Sequence, residues 1–317
     1  MAPEAELARE AIQNSCDAAR EQERRVRIAF RIVTLESPQK SKFLRSLGLV
    51  DDDARRFLKV RLAPDNCLSS GSRPLKLIFI EDYNTVGLRG APHDPRSHFH
   101  RLLLSVGDTA KVSTLSSGGS YGYGKSALSL NSKIRTVVAY SAFEPDQTGD
   151  SARLMACAYL DAHEFEGKQF TGRGWFGLVR HGAELIVDPL RNDDAHGMAD
   201  ELGFASRRDG RPGTSILIVD SGASDPEKLL KGIEDWWWPR IVDEELEVEI
   251  EADGQKYCPR PKTREHLLPF IQCYLMAVGR AVPTGAHEKS DRFNRLEGLA
   301  LGTYAFQMLD PERANQV

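Results

Sequence analysis

Nine residues, Gly118-Gly-Ser-Tyr-Gly-Tyr-Gly-Lys-Ser126, limit this chain to a short list of folds. From Gly119 to Ser126 they fit G-x-x-x-x-G-K-[ST], a loop that cradles nucleotide phosphates. Glycines let backbone amides converge on an anion, and the lysine adds positive charge. Nucleotide binding is the first expectation. Such a loop normally leaves a buried strand, which aims it at the phosphates. The residues before it, Lys111-Val-Ser-Thr-Leu-Ser-Ser-Gly118, are polar apart from Val112 and Leu115. That pattern disfavours a P-loop. A later strand, Ser215-Ile-Leu-Ile-Val-Asp220, ends in an acid that a P-loop enzyme needs for magnesium, so a P-loop NTPase stands as the alternative. A glycine-rich surface loop without a ligand is the plainer reading.

The rest of the chain alternates helix and strand patterns. Glu4–Arg20 is rich in helix formers. Val26, Ile28, Phe30 and Ile32 alternate with Arg27, Ala29 and Arg31, as in a half-buried strand. A helix over Lys40–Leu62, a loop over Asp65–Pro74 and a buried strand over Leu75–Ile80 follow. Tyr83–Ser97 is punctuated as a long loop, Phe99–Val106 fits a short helix, and Gly107–Lys125 is a Ser/Gly-rich loop with a helix from Ser126. Strands are expected over Arg135–Phe143, Arg153–Leu160, Gly213–Asp220 and Leu246–Glu251. Arg191–Pro212 reads as a polar excursion. Helices are expected over Pro226–Ile241, which Pro239 should end or kink, and over His266–Val278, with a strand over Leu299–Phe306. Interspersed elements of both kinds mean α/β or α+β.

Composition excludes several classes. The 317 residues carry a net charge of −4 and include five scattered cysteines with no C-x-x-C spacing. There is no global basic field, so any contact with DNA is local or indirect. The cysteines read as reduced cytoplasmic thiols, with neither a zinc nor a disulfide framework. No run reaches the ~20 apolar residues of a membrane span, and the N-terminus lacks the apolar core of a signal peptide.

On a helical projection of the first helix, Glu10, Asn14 and Asp17 share an arc of about 60°. A solvated face explains this spacing equally well. Asp82 follows an apolar strand and precedes a turn, where a carboxylate either binds a ligand or caps the turn. His93, His98 and His100 cluster without partner cysteines and read as polar loop residues. Of Trp236, Trp237 and Trp238, at least one should pack in the core. Arg24, Arg25, Arg27 and Arg31 form a stripe read as a solvated strand face.

Together these segments resemble the motifs of the GHKL (Bergerat-fold, HATPase_c) ATPases. Glu10-Ala-Ile-Gln-Asn14-Ser-Cys-Asp17-Ala18 resembles E-x-x-x-N-x-x-D-A. Glu81-Asp82-Tyr-Asn-Thr-Val-Gly87 resembles D-x-G-x-G, with Asn84 at the first glycine and one extra residue. Gly119-Ser-Tyr-Gly122-Tyr-Gly124 resembles the lid motif, Ser105–Lys111 the segment that opens the lid, and Gly213-Thr214 the G-T of the fourth motif. The likeness covers residues 4 to 220 and is nearest to bacterial MORC/MutL-like or heat-shock-90-like proteins. It implies a two-layer α+β sandwich, with a mixed sheet and helices on one face, over residues 1–222. Residues 223–317 would be a C-terminal extension, with part of a transducer-like domain as its further reading.

The resemblance also assigns roles. Glu10 would be the general base, and Asn14 the magnesium ligand. Asp82 would read the adenine amino group, supported by the Thr214 hydroxyl. Gly87 would shape the loop, while Lys111, Gly122, Tyr123, Gly124, Lys125 and Ser126 would serve the lid and phosphates. Asp17 is read as structural. The implied activity is magnesium-dependent hydrolysis of ATP, with lid closure coupled to a homodimer or partner protein in DNA-related or anti-phage systems. A nucleotide-sensing module with little turnover is the rival from another class.

Overall fold

The computed structural model describes residues 2–50, 65–69, 71–104, 123–181, 185–280, 293–298 and 302–307. The chain opens with α1 (Pro3–Asp17), β1 (Val26–Leu35), α2 (Gln39–Ser46) and β2 (Leu75–Tyr83). A π-helical turn, His100–Leu104, leads toward α3 (Tyr123–Leu130), β3 (Thr136–Ala142) and β4 (Ala152–Tyr159). Short strands follow: β5 (His163–Phe165), β6 (Lys168–Phe170), β7 (Arg173–Phe176), β8 (Leu178–His181), β9 (Leu185–Asp188) and β10 (Leu190–Arg191). Then come α4 (Asn192–Leu202), β11 (Gly213–Val219), α5 (Pro226–Val242), β12 (Leu246–Ala252), β13 (Gln255–Tyr257) and α6 (Leu268–Ala277). The hairpin β14 (Phe293–Gly298) and β15 (Gly302–Gln307) ends the described chain.

The main sheet runs β10-β4-β3-β11-β2-β1-β12-β13, with β7 also on β4. It is mixed: β12 lies parallel to β1, and the other pairings are antiparallel. The alternation of β1 sends Ile28 and Phe30 into the core and leaves Arg27 exposed, as its period of two requires. Arg25 pairs with Glu244 and Glu247, and Arg27 with Glu247, so much of the basic stripe is neutralised by the neighbouring strand.

On one face of the sheet, α1 and α5 bury Leu7, Ile12, Ile233 and Trp237 against Ile28, Phe30, Ile80 and Val248. The mixed sheet and α+β class are as expected. The opposite face is also covered, because α2 and α4 bring Phe43, Leu44, Ala195, Ala199 and Leu202 onto Phe79, Val138 and Tyr140. The expected boundary at 222 falls between β11 and α5, and one sheet and one core take up elements from both sides of it.

Four expectations need correction. The polar segment after Arg191 contains α4, whose Ala195, Ala199 and Leu202 form a narrow apolar stripe. Pro239 neither ends α5 nor lies outside it; the helix runs on to Val242. Helix α3 starts at Tyr123, so Tyr123–Ser126 form its first turn and not the loop before it. Only Gln39–Ser46 of the expected 40–62 helix is helical before residue 51, and residues 51–64 lie outside the described set.

Candidate nucleotide site

Three neighbouring strands bring the polar groups together. Register sets Ile28 of β1 opposite Asp82 of β2, and Thr214 of β11 opposite Ser141 of β3. Asp82 thus stands at the end of β2, beside the start of β11. Its Oδ1 accepts hydrogen bonds from the Thr85 hydroxyl (2.6 Å) and the Thr214 backbone N–H (2.7 Å). Its Oδ2 accepts one from Ser15 Oγ on α1 (3.0 Å). A carboxylate offers about four acceptor positions, so one remains.

Asp82 is 7% exposed and lines a cavity of about 270 Å³. Asn14, Gly87 and Thr214 line the same cavity, with Ala11, Ser15 and Asp17 of α1, Leu128 of α3, and His98, Arg101 and Leu102 at or just before the π-helical turn. The wall is mostly apolar with a few convergent polar groups, as in small-molecule sites. Four expected residues therefore meet in one place. Thr214 contributes differently from expectation. Its amide bonds Asp82, while its hydroxyl lies 3.5 Å from Ser141 Oγ. Asp17 accepts a hydrogen bond from Gln13 (2.7 Å) at the cavity rim.

Two glycines are required by close approach. Gly87 has φ +69°, and a Cβ there would lie 2.4 Å from the Ala142 carbonyl oxygen. Gly213 has φ +156°, and a Cβ would lie 2.3 Å from both the Asp82 carbonyl oxygen and Arg207 Nη1. Asn84, in the glycine position of the second motif, adopts φ +65° and donates through Nδ2 to the Arg25 carbonyl (2.8 Å). Asn tolerates this left-handed conformation better than most residues.

Glu10 sits one helical turn before Asn14, about 6 Å along the axis. It is buried and is not among the residues lining the cavity. Its Oε1 accepts two hydrogen bonds from Arg9, 2.9 Å from Nε and 2.6 Å from Nη2. Lys111 and Gly122 lie outside the described residues, as does most of the glycine-rich stretch. Tyr123, Gly124, Lys125 and Ser126 form the N-terminal turn of α3, which packs near α1. The free N–H groups of such a turn suit an anion.

Sequence reasoning missed the supporting residues. Arg207 is 1% exposed and donates to the Asp82 carbonyl (2.6 Å), the Thr214 carbonyl (3.1 Å) and Ser215 Oγ (3.0 Å). Its guanidinium lies over the Tyr83 ring at 4.7 Å. Ser141 Oγ donates to the Gly213 carbonyl (2.7 Å) and accepts from Leu88 N–H (2.8 Å). Burial, followed by the charges of Arg89 and Arg101, holds the His98 imidazole below its ordinary range. His93 bonds Asp188 (3.2 Å), and among the described residues no group of three or more His, Cys, Asp or Glu could hold a metal ion.

No helix among the described residues is long and apolar enough to cross a membrane. In comparisons with known proteins, neither a protein-family model nor a curated protein matches this chain.

Proposed function

We propose that this chain is a GHKL-type ATPase. The observation that carries the reading is Asp82: a buried carboxylate in a cavity wall, with three acceptor positions filled by Thr85, Thr214 and Ser15 and one open. Adenine presents an amino donor where guanine presents a carbonyl acceptor. A fixed acceptor therefore favours adenine and rejects guanine. Asn14 lies on the same wall, one turn from Glu10. On this reading the order along α1 would run from base recognition toward the phosphates, with the first turn of α3 nearby.

The donor set fits magnesium held mainly by phosphates and water, since that ion asks little more of a protein than one or two oxygen ligands. Asn14 Oδ1 would supply such a ligand, and the ion would offset charge on the transferring phosphoryl group. Glu10 would accept a proton from the water attacking the γ-phosphorus, with ADP leaving in line. Lys125 and the α3 amides would neutralise phosphate oxygens. Lid closure would couple to a homodimer or a partner protein in the cytoplasm, with DNA contact indirect; a role in anti-phage defence is part of this reading.

Two variants test it. Glu10→Ala should lose turnover by about 10²–10⁴-fold, the usual worth of a general base, and keep ATP binding by calorimetry. Asp82→Asn should lose ATP binding, because its amide presents a donor to the adenine amino group. Wild-type binding without turnover would move the assignment to the nucleotide-sensing module. Unchanged affinity in Asp82→Asn would remove Asp82 from the base-recognition role.

A further inference from the structure

We propose that Trp236 of α5 and Arg9 of α1 act as a positioning pair for the Glu10 carboxylate, so that turnover depends on a helix outside the nucleotide cavity. The proposal rests on the ATPase reading above. Adjacent residues on a helix diverge by about 100°, and i,i+1 side chains do not face each other. An arginine next to Glu10 has no intrinsic reason to lie on it, and Arg9 is 35% exposed. Trp236 supplies the reason. The Arg9 guanidinium sits 5.2 Å from the centroid of the Trp236 ring, within cation–π range,. The indole forms a platform that turns the guanidinium back along α1 toward Glu10. It also accounts for a tryptophan left 47% exposed.

The bonding is asymmetric. Both Arg9 nitrogens donate to Oε1, and among the described residues Oε2 has no hydrogen-bond partner. One oxygen is fixed while the other keeps its lone pairs for a water proton. A base held this way loses less orientation entropy in the reactive geometry. The platform is itself fixed by register. Gly232 abuts Ala5 so closely that a Cβ would come within 2.6 Å of the Ala5 Cα. Ile233 and Trp237 are buried together in the core beside this seam, and Arg240 lies beside Cys16 further along it. A shift of α5 along α1 would therefore move Trp236 relative to Arg9.

The test is steady-state ATP hydrolysis by the full chain, with affinity for a non-hydrolysable ATP analogue measured in parallel. Arg9→Ala should lower kcat roughly tenfold, less than loss of the base itself, while KM and analogue affinity stay within about twofold. Trp236→Ala should lower kcat alone, and Trp236→Phe, which keeps a ring face, should recover most of it. Arg9→Lys should recover only part, because a single ammonium lacks the fork. The Arg9→Ala/Trp236→Ala double variant should be no slower than Arg9→Ala, as residues acting through one contact are non-additive. Full kcat in Arg9→Ala, equal changes in kcat and KM, or multiplicative effects in the double variant would overturn the proposal. If Glu10→Ala abolishes turnover while Arg9→Ala does not slow it, the positioning pair falls and the ATPase reading stands. A wild-type chain without turnover overturns both.

Discussion

Asp82 shows how many contacts it takes to fix one buried carboxylate at a cavity wall. Its carboxylate is held from three elements: β11 through the Thr214 amide, the following turn through Thr85, and α1 through Ser15. Behind it, Arg207 ties the Asp82 and Thr214 carbonyls together in a fully buried position. Arg207→Met keeps apolar volume but removes the buried donor that those carbonyls share. It should destabilise the fold by up to about 2–6 kcal/mol, since each buried unsatisfied group costs roughly 1–3 kcal/mol; the check is a lower midpoint in urea. ATP affinity should fall with it. Asp82, Asn14 and Gly87 were legible in the sequence because a motif fixes their order. Arg207 and Ser141 were not, because a lone arginine or serine carries no pattern, and their partners lie far away in the chain.

At the scale of elements, helix α4 shows why polarity misleads. Its first turn carries Asp193 and Asp194, and only Ala195, Ala199 and Leu202 are buried. Two alanines and a leucine at spacings of four and three make a helical face, but a weak one against so many charges. Pro239 misled in the opposite direction. It falls in the last turn of α5, where one lost N–H matters less than the packing of Trp237 and Val242 on either side,. The α1–α5 seam is tighter than either helix suggests alone. Gly232→Ala would put a methyl group within 2.7 Å of the Ala5 side chain. Overpacking of this kind costs about 1–3 kcal/mol, against the few tenths to 1 kcal/mol that alanine contributes in a free helix. The net change should be a lower melting temperature, read by circular dichroism, although alanine is the better helix former.

For the whole molecule, the decisive feature is that the N-terminal sheet is finished by strands and helices after residue 222. β12 lies parallel to β1 from Val26 to Ile32, and Leu229, Ile233, Trp237, Val248 and Ile250 share a core with α1. A chain ended at residue 222 would expose that core and a bare β1 edge. It should give no cooperative thermal transition, whereas the full chain should melt cooperatively; a cooperative transition in the shorter chain would show that the two parts fold separately. The division at 222 was drawn from where the motifs stop, and motifs mark chemistry, not the limits of a core. The sheet class itself was legible, since alternation and apolar runs fix strands locally. The parallel partner of β1 was not, because pairing across more than two hundred residues leaves no local trace.

That pairing also sets when the site can come into being. During synthesis, α1 and its Asn14 precede by more than two hundred residues the helix and strand that complete their seat, Pro226–Ala252. Until then the first helix has only part of its apolar face covered, by β1 and β2, and long-range closure of this kind is slow. The nascent chain must therefore carry its first helix incompletely packed until that closing segment has emerged, and a ligand in the cavity can help hold the fold only from then on.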